Sequence, residues 1–236
     1  MTTVSEAMAV AVQQHQAGRL DEAIALYRQV LSFDTVNVVA YSNLGAALQQ
    51  QGRLDEAADC YHRALALAPD LAEALGNLGT VLKLQGKGVE AEASYRRALS
   101  LRPDSATVHC DLGVVLQEQG RIAEAIACYR RAIELQPGFV QALFNLGTAL
   151  MSIGDVDGSI TCYQQAIALR PTYIAALCNL GNALKDQGKL EEAIACYQRA
   201  IQAAPNYAED ITIWLACCSS KAGSMKPWRG IRARCC

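Results

Sequence analysis

Ten cysteines and three histidines are the side chains here with the chemistry for nucleophilic attack, disulfide formation or metal ligation. Their spacing argues against each. Cys60, Cys128, Cys162 and Cys196 are separated by 34 residues or a multiple of it, as expected for equivalent places in stacked units. Equivalent atoms of neighbouring helical units lie about a helix diameter apart, ~10 Å, beyond the ~7 Å Cα separation that a disulfide can bridge. The four are expected to be small buried apolar residues. Cys217 with Cys218 and Cys235 with Cys236 are adjacent pairs without the two-residue gap typical of zinc sites. His15 and His62 are expected on exposed faces and His109 at a core position, none beside a Cys or Ser nucleophile with an orienting acid. The Gly-Lys-Gly at 86–88 lacks the rest of a phosphate loop. The expectation is a chain with no catalytic residue, no metal site and no cofactor.

The polar residue that does recur is asparagine. Asn43, Asn77, Asn145 and Asn179 share one register, and Asp111 takes the intervening place. A primary amide offers a donor and an acceptor together, the complement of a peptide bond. A row of them can hold an extended chain by its backbone, with little regard for side chains. Asp111 cannot donate, so it is expected to pair with a backbone N–H or a basic side chain.

The elements that must position this row follow from the same period. Gly18, Gly52, Gly86, Gly120, Gly154 and Gly188 stand 34 residues apart, as do Pro69, Pro103, Pro137, Pro171 and Pro205, and Tyr27, Tyr61, Tyr95, Tyr129, Tyr163 and Tyr197. The register gives six units, at 4–37, 38–71, 72–105, 106–139, 140–173 and 174–207. In the second, Tyr41, Leu44, Gly45 and Leu48 keep the i, i+3, i+4, i+7 spacing of a buried helical stripe. Gly52 ends that helix. Asp55 and Glu56 favour the start of the next, which buries Ala57, Tyr61, Ala64 and Leu65 until Pro69 forbids continuation. Gly45, Gly79, Gly113, Gly147 and Gly181 fall mid-helix, where glycine costs up to ~1 kcal/mol against alanine. Pairing with Ala57, Ala91, Ala125 and Ala193, twelve residues on, is the expected reason.

Leu44, Gly45, Ala57, Tyr61, Ala64, Pro69 and their equivalents resemble the tetratricopeptide repeat over residues 4–207. The resemblance implies an all-α fold, an α-α superhelix of stacked antiparallel helix pairs, whose first helices line a concave groove. Departures are local. Ala11 and Thr35 replace the glycine and proline of the first unit, and Gly158 and Ser159 stand where Glu-Ala is usual, so the fifth unit is expected to start its second helix weakly. Positions two, six, nine and thirteen of each first helix oppose the core stripe. Asn43, Asn77, Asp111, Asn145 and Asn179 occupy position six, and Asn182 position nine of the last unit. A similar asparagine ladder is carried by the O-linked N-acetylglucosamine transferases, whose repeats the phrases Asn179 to Leu184 and Gln187 to Tyr197 also resemble. The implied function is a protein-interaction scaffold that binds an extended peptide in the groove. The alternative is the substrate-recruiting repeat region of such a glycosyltransferase, whose catalytic domain is not in this sequence. Lys83 and Lys185 are the groove-edge lysines, three repeats apart, too sparse for a clamp on an acidic C-terminus.

The net charge of −2 and pI near 5.9 give no basic surplus for nucleic acid. No apolar run approaches the ~20 residues of a membrane span, and Met1 to Val12 has no basic start and carries Glu6, unlike a signal peptide. A cytoplasmic chain is expected. After residue 207 the pattern breaks. Read one base earlier, codons for places 211, 214, 215, 218, 222, 226 and 227 all permit the residue expected of a seventh unit, so the tail at 208–236 reads as a frame-shifted repeat. Self-association through an uncapped C-terminal end is a further expectation.

Overall fold

The computed structural model describes residues 4–204, so the tail and the frame-shift reading lie outside the described residues. These residues form twelve α-helices and no strand. The first helices of the pairs are α1 (Val4–Gln16), α3 (Val38–Gln50), α5 (Ala72–Leu84), α7 (Ala106–Glu118), α9 (Val140–Ser152) and α11 (Ile174–Asp186). The second helices are α2 (Leu20–Phe33), α4 (Leu54–Leu67), α6 (Gly88–Leu101), α8 (Ile122–Leu135), α10 (Val156–Leu169) and α12 (Leu190–Ala203). No described helix is long and apolar enough to cross a membrane. The described residues divide into two compact bodies on either side of the 119–120 bond, so that α1 to α7 belong to the first and α8 to α12 to the second.

Each helix turn is closed by the glycine. Gly52 has φ 76°, a left-handed conformation that a side chain strains. The Arg53 amide then donates to the Leu48 carbonyl at 2.9 Å and the Gly52 amide to Gln49 at 3.0 Å, satisfying carbonyls that the end of α3 leaves open. Gln51 and Gln85 tie these turns to the preceding repeat by donating to Asp21 at 2.7 Å and Asp55 at 2.8 Å.

Second helices begin after Arg19, Arg53, Lys87, Arg121 or Lys189 with no side-chain cap. α10 is the exception, and it corrects the expectation of a weak start. Asp155 stands where the others have Arg or Lys, and its carboxylate accepts from the Gly158 amide at 2.9 Å. The cap offsets the glycine that follows. Asp155→Ala is therefore expected to cost about 0.5–2 kcal/mol, read as a lower urea midpoint, whereas Lys189→Ala at the uncapped start of α12 should cost much less.

In the first body α2 packs on α3, α4 on α5 and α6 on α7. Successive first helices also pack on one another, α1 with α3, α3 with α5 and α5 with α7, while among the described residues α2 reaches α4 only by the long side chains of the Arg28–Glu56 ion pair at 2.9 Å. First helices thus crowd together on one side and second helices spread on the other. The second body repeats this, with α8 on α9, α10 on α11, and α9 touching α11.

The mid-helix glycines have a different partner from the one the spacing suggested. A Cβ added at Gly45 would stand 2.9 Å from the Tyr61 ring, one at Gly79 2.7 Å from Tyr95, and one at Gly147 2.7 Å from Tyr163. The nearest atoms belong to the tyrosine sixteen residues on, not to the alanines. Ala57, Ala91 and Ala193 are themselves enclosed in the core.

The six described cysteines are free thiols. Cys60, Cys162 and Cys196 are buried and Cys128 half-buried. Burial pushes the Cys60 thiol up to about 11 and that of Cys178 to about 12, so neither forms the nucleophilic thiolate at neutral pH. His62 is exposed. His15 is not: it is half-buried, edge-on to the Tyr27 ring with centroids 6.1 Å apart. His109 is half-buried, its Nε2 2.9 Å from the Pro103 carbonyl.

An uncapped C-terminal end would leave Ile194, Tyr197 and Ile201 of α12 without partners. Tyr197 is instead buried and Ile201 partly buried against the same core, leaving Ile194 53% exposed. With that apolar side chain uncovered, α12 is expected to be the fastest-exchanging helix of the second body. Amide hydrogen exchange that found α12 as protected as α10 would contradict this.

Candidate functional site: the first-helix face

In the first body, Asn43 on α3, Asn77 on α5 and Asp111 on α7 are all partly exposed. Buried tyrosine hydroxyls lie beneath them. Tyr61 donates to Gln49 Oε1 at 3.4 Å, and Asn77 stands beside the same hydroxyl. Tyr95 donates to Thr80 Oγ1 at 3.1 Å, with Asp111 beside it. Burial holds both phenols far above the ordinary tyrosine value, and the nearby carboxylates of Glu73 and Asp111 add to the shift. Both rings therefore stay neutral donors at any physiological pH.

Asp111 finds its basic side chain within the molecule. Lys83 Nζ, one first helix earlier, lies 2.5 Å from Asp111 Oδ1. Lys83 occupies the register place held by Gln49 in the second repeat and His15 in the first, whose Nδ1 is 3.4 Å from the Tyr27 hydroxyl. In the first two repeats this place thus sets a polar residue beside the tyrosine hydroxyl.

In the second body, Asn145 on α9 is partly exposed and its carbonyl accepts from Gln141 at 3.0 Å. Tyr163 donates to Thr148 Oγ1 at 3.3 Å, and Thr148 in turn to the Phe144 carbonyl at 3.0 Å. Burial raises the Tyr163 phenol to about 12. Asn179 differs from the other position-six residues: it is 3% exposed, and both polar atoms of its amide lack a hydrogen-bond partner. It faces the Tyr163 hydroxyl, holding its pKa down, without closing a bond of its own. The register place that holds Gln49 or Lys83 in the first body holds Met151 here, a thioether with little to offer an amide. Asn182 is also enclosed, at 5% exposure, and accepts from the Tyr197 hydroxyl at 2.9 Å.

Sequence reasoning located the position-six row and missed what lies under it. The tyrosine series was read as core packing alone. Its signal as a polar layer was the hydroxyl or amide at position nine, Thr80, Thr148 and Asn182, fifteen residues before the tyrosine of the same repeat.

Helix pairs with this period, a left-handed glycine at each turn and a mid-helix glycine against a tyrosine ring are tetratricopeptide repeats. The family model described as the cilia and flagella-associated protein 70 C-terminal domain matches residues 2–210, and the chain belongs to that family. No curated protein matches. Among solved structures, PilW, described as a widely conserved type IV pilus biogenesis factor, superposes with a TM-score of 0.80 at 21% identity, covering 90% of this chain and 98% of its own. YrrB, described as a TPR protein with an unusual peptide-binding site, gives 0.66 at 22% identity, covering 80% and 97%. MamA gives 0.65 at 26% identity, covering 70% and 97%.

Proposed function

We propose that this chain is a protein-interaction scaffold whose first-helix faces bind an extended segment of a partner by its backbone. The observation that carries the reading is the partly exposed side-chain amide at position six, Asn43 and Asn77 in the first body and, separately, Asn145 in the second, each on a helix pair whose tyrosine hydroxyl is a neutral donor. An amide pairs with both the N–H and the C=O of a peptide. Asn179 and Asn182 lie deeper, and in this reading they shape the face rather than meet the ligand first. The peptide-binding site in the description of YrrB agrees with such a use of the fold. The proposal assigns binding and not catalysis to the chain, and places its action in the cytoplasm.

The test is a triple variant, Asn43→Ala with Asn77→Ala and Asn145→Ala. Each lost hydrogen bond is worth about 0.5–1.5 kcal/mol net, so the Kd for peptides selected from a random pool is expected to rise at least about tenfold. Thermal unfolding should stay within a few degrees of the parent, because all three side chains are partly exposed. An unchanged Kd eliminates the ladder. The glycosyltransferase reading rests on the same asparagines and on the phrases at 179–184 and 187–197. A glycosyltransferase frame directly downstream in the gene would favour it.

A further inference from the structure

The first body's face carries one rung unlike the others. Where Asn43 and Asn77 present neutral amides, the third rung is the ion pair of Lys83 with Asp111. The two ends of that pair are not equally available. The Lys83 side chain is 20% exposed and the Asp111 side chain 34%. Lys83 donates to Oδ1, and among the described residues no donor is recorded on Oδ2. A carboxylate has capacity for several donors, so this partly exposed side chain can accept from a ligand as well as from Lys83. The surroundings do not reverse its sign. Glu73 holds position two of α5 and Glu118 position thirteen of α7, so the other charged residues of this register stripe on the two helices are acidic. Of the basic residues nearest in sequence, Arg96 pairs with Glu92 at 2.5 Å and Arg97 donates to the Pro69 carbonyl at 2.7 Å, both on α6, while Lys87 and Arg102 stand at the two ends of that helix.

Building on the groove reading, we propose that this face selects a partner segment carrying an arginine or lysine opposite Asp111 and disfavours an acidic residue there. An incoming guanidinium or ammonium donates to Asp111 Oδ2 while Lys83 keeps Oδ1, so the carboxylate is shared between two cations. The neutral rungs Asn43 and Asn77 of the same body hold the backbone whatever its sequence, and the charged rung fixes the register.

The experiment uses the whole chain and three random peptide pools, each about twelve residues long, ~40 Å when extended, with Arg, Gln or Glu fixed at the centre. Retention of the Arg pool over the Glu pool is expected to be about three- to tenfold at low salt. The difference should shrink at high salt, as the screening length falls. In Asp111→Asn the Arg preference should vanish and the Glu pool, now facing an unpaired Lys83, should gain. That variant installs the residue already found at Asn43, Asn77, Asn145 and Asn179, so the repeat keeps its framework. In Lys83→Gln the Arg preference should grow. Equal retention of the Arg and Glu pools beside a bound Gln pool would overturn the charge selection and leave the groove reading standing. Failure of all three pools to bind would overturn both.

Discussion

Gly79→Leu is expected to lower the stability of the first body by about 1–3 kcal/mol, the usual cost of forcing extra carbon into a packed interior. A single Cβ there would already stand 2.7 Å from the Tyr95 ring. Carbon atoms at optimum contact lie ~3.5–4.0 Å apart, so the ring would have to retreat. Tyr95 is fully buried and its hydroxyl is bonded to Thr80 at 3.1 Å, which leaves no open space in which to move. Leucine also regains the ~1 kcal/mol of helix propensity that glycine forgoes, so the measured loss is a net of both effects. Gly79→Ala separates them, because it regains propensity with only the first carbon of the clash. Urea unfolding followed by circular dichroism should show the leucine variant well below the alanine variant. Equal midpoints would mean that the glycine is not there for the tyrosine.

Tyr163→Ala makes the opposite error in the second body and is expected to cost more, about 3–5 kcal/mol. The ring is 1% exposed, packs beside Gly147 and lies 6.0 Å from the Phe144 ring. Removing it opens a cavity beside a glycine that cannot fill it, and it takes the donor away from Thr148. Tyr163→Phe keeps the ring and removes only the hydroxyl, and should cost about 0.5–1.5 kcal/mol. Stability on the scale of 5–15 kcal/mol makes the larger loss visible as fast amide exchange across α9, α10 and α11. If the phenylalanine and alanine variants unfold at the same urea concentration, ring packing is not the main contribution of this residue.

The helix pairs were legible because their signals are local. A glycine every 34 residues marks a left-handed turn, and φ 76° at Gly52 is such a turn. An apolar stripe at helical spacing marks a buried face wherever it occurs. The start of α10 shows the same locality in reverse: Gly158 signals a weak helix, while the carboxylate of Asp155, three residues earlier, caps it. The glycine–alanine pairing was inferred from spacing along the chain. Spacing could not show that a ring sixteen residues away reaches the same point.

By itself the sequence determined the repeat, its two helices and the residues placed at the sixth position of each first helix, since these depend on periodicity and on backbone preferences within one unit. Tertiary structure alone decided what those residues can do. Asn77 and Asn179 hold the same register, yet one is partly exposed and the other enclosed with its amide unpaired. Gln49 stands at the relevant place before the first and Met151 before the second. The Lys83–Asp111 pair likewise joins residues 28 apart. A side chain's exposure and partners are set by the repeat stacked beneath it, and that neighbour's contribution is written nowhere in the position itself.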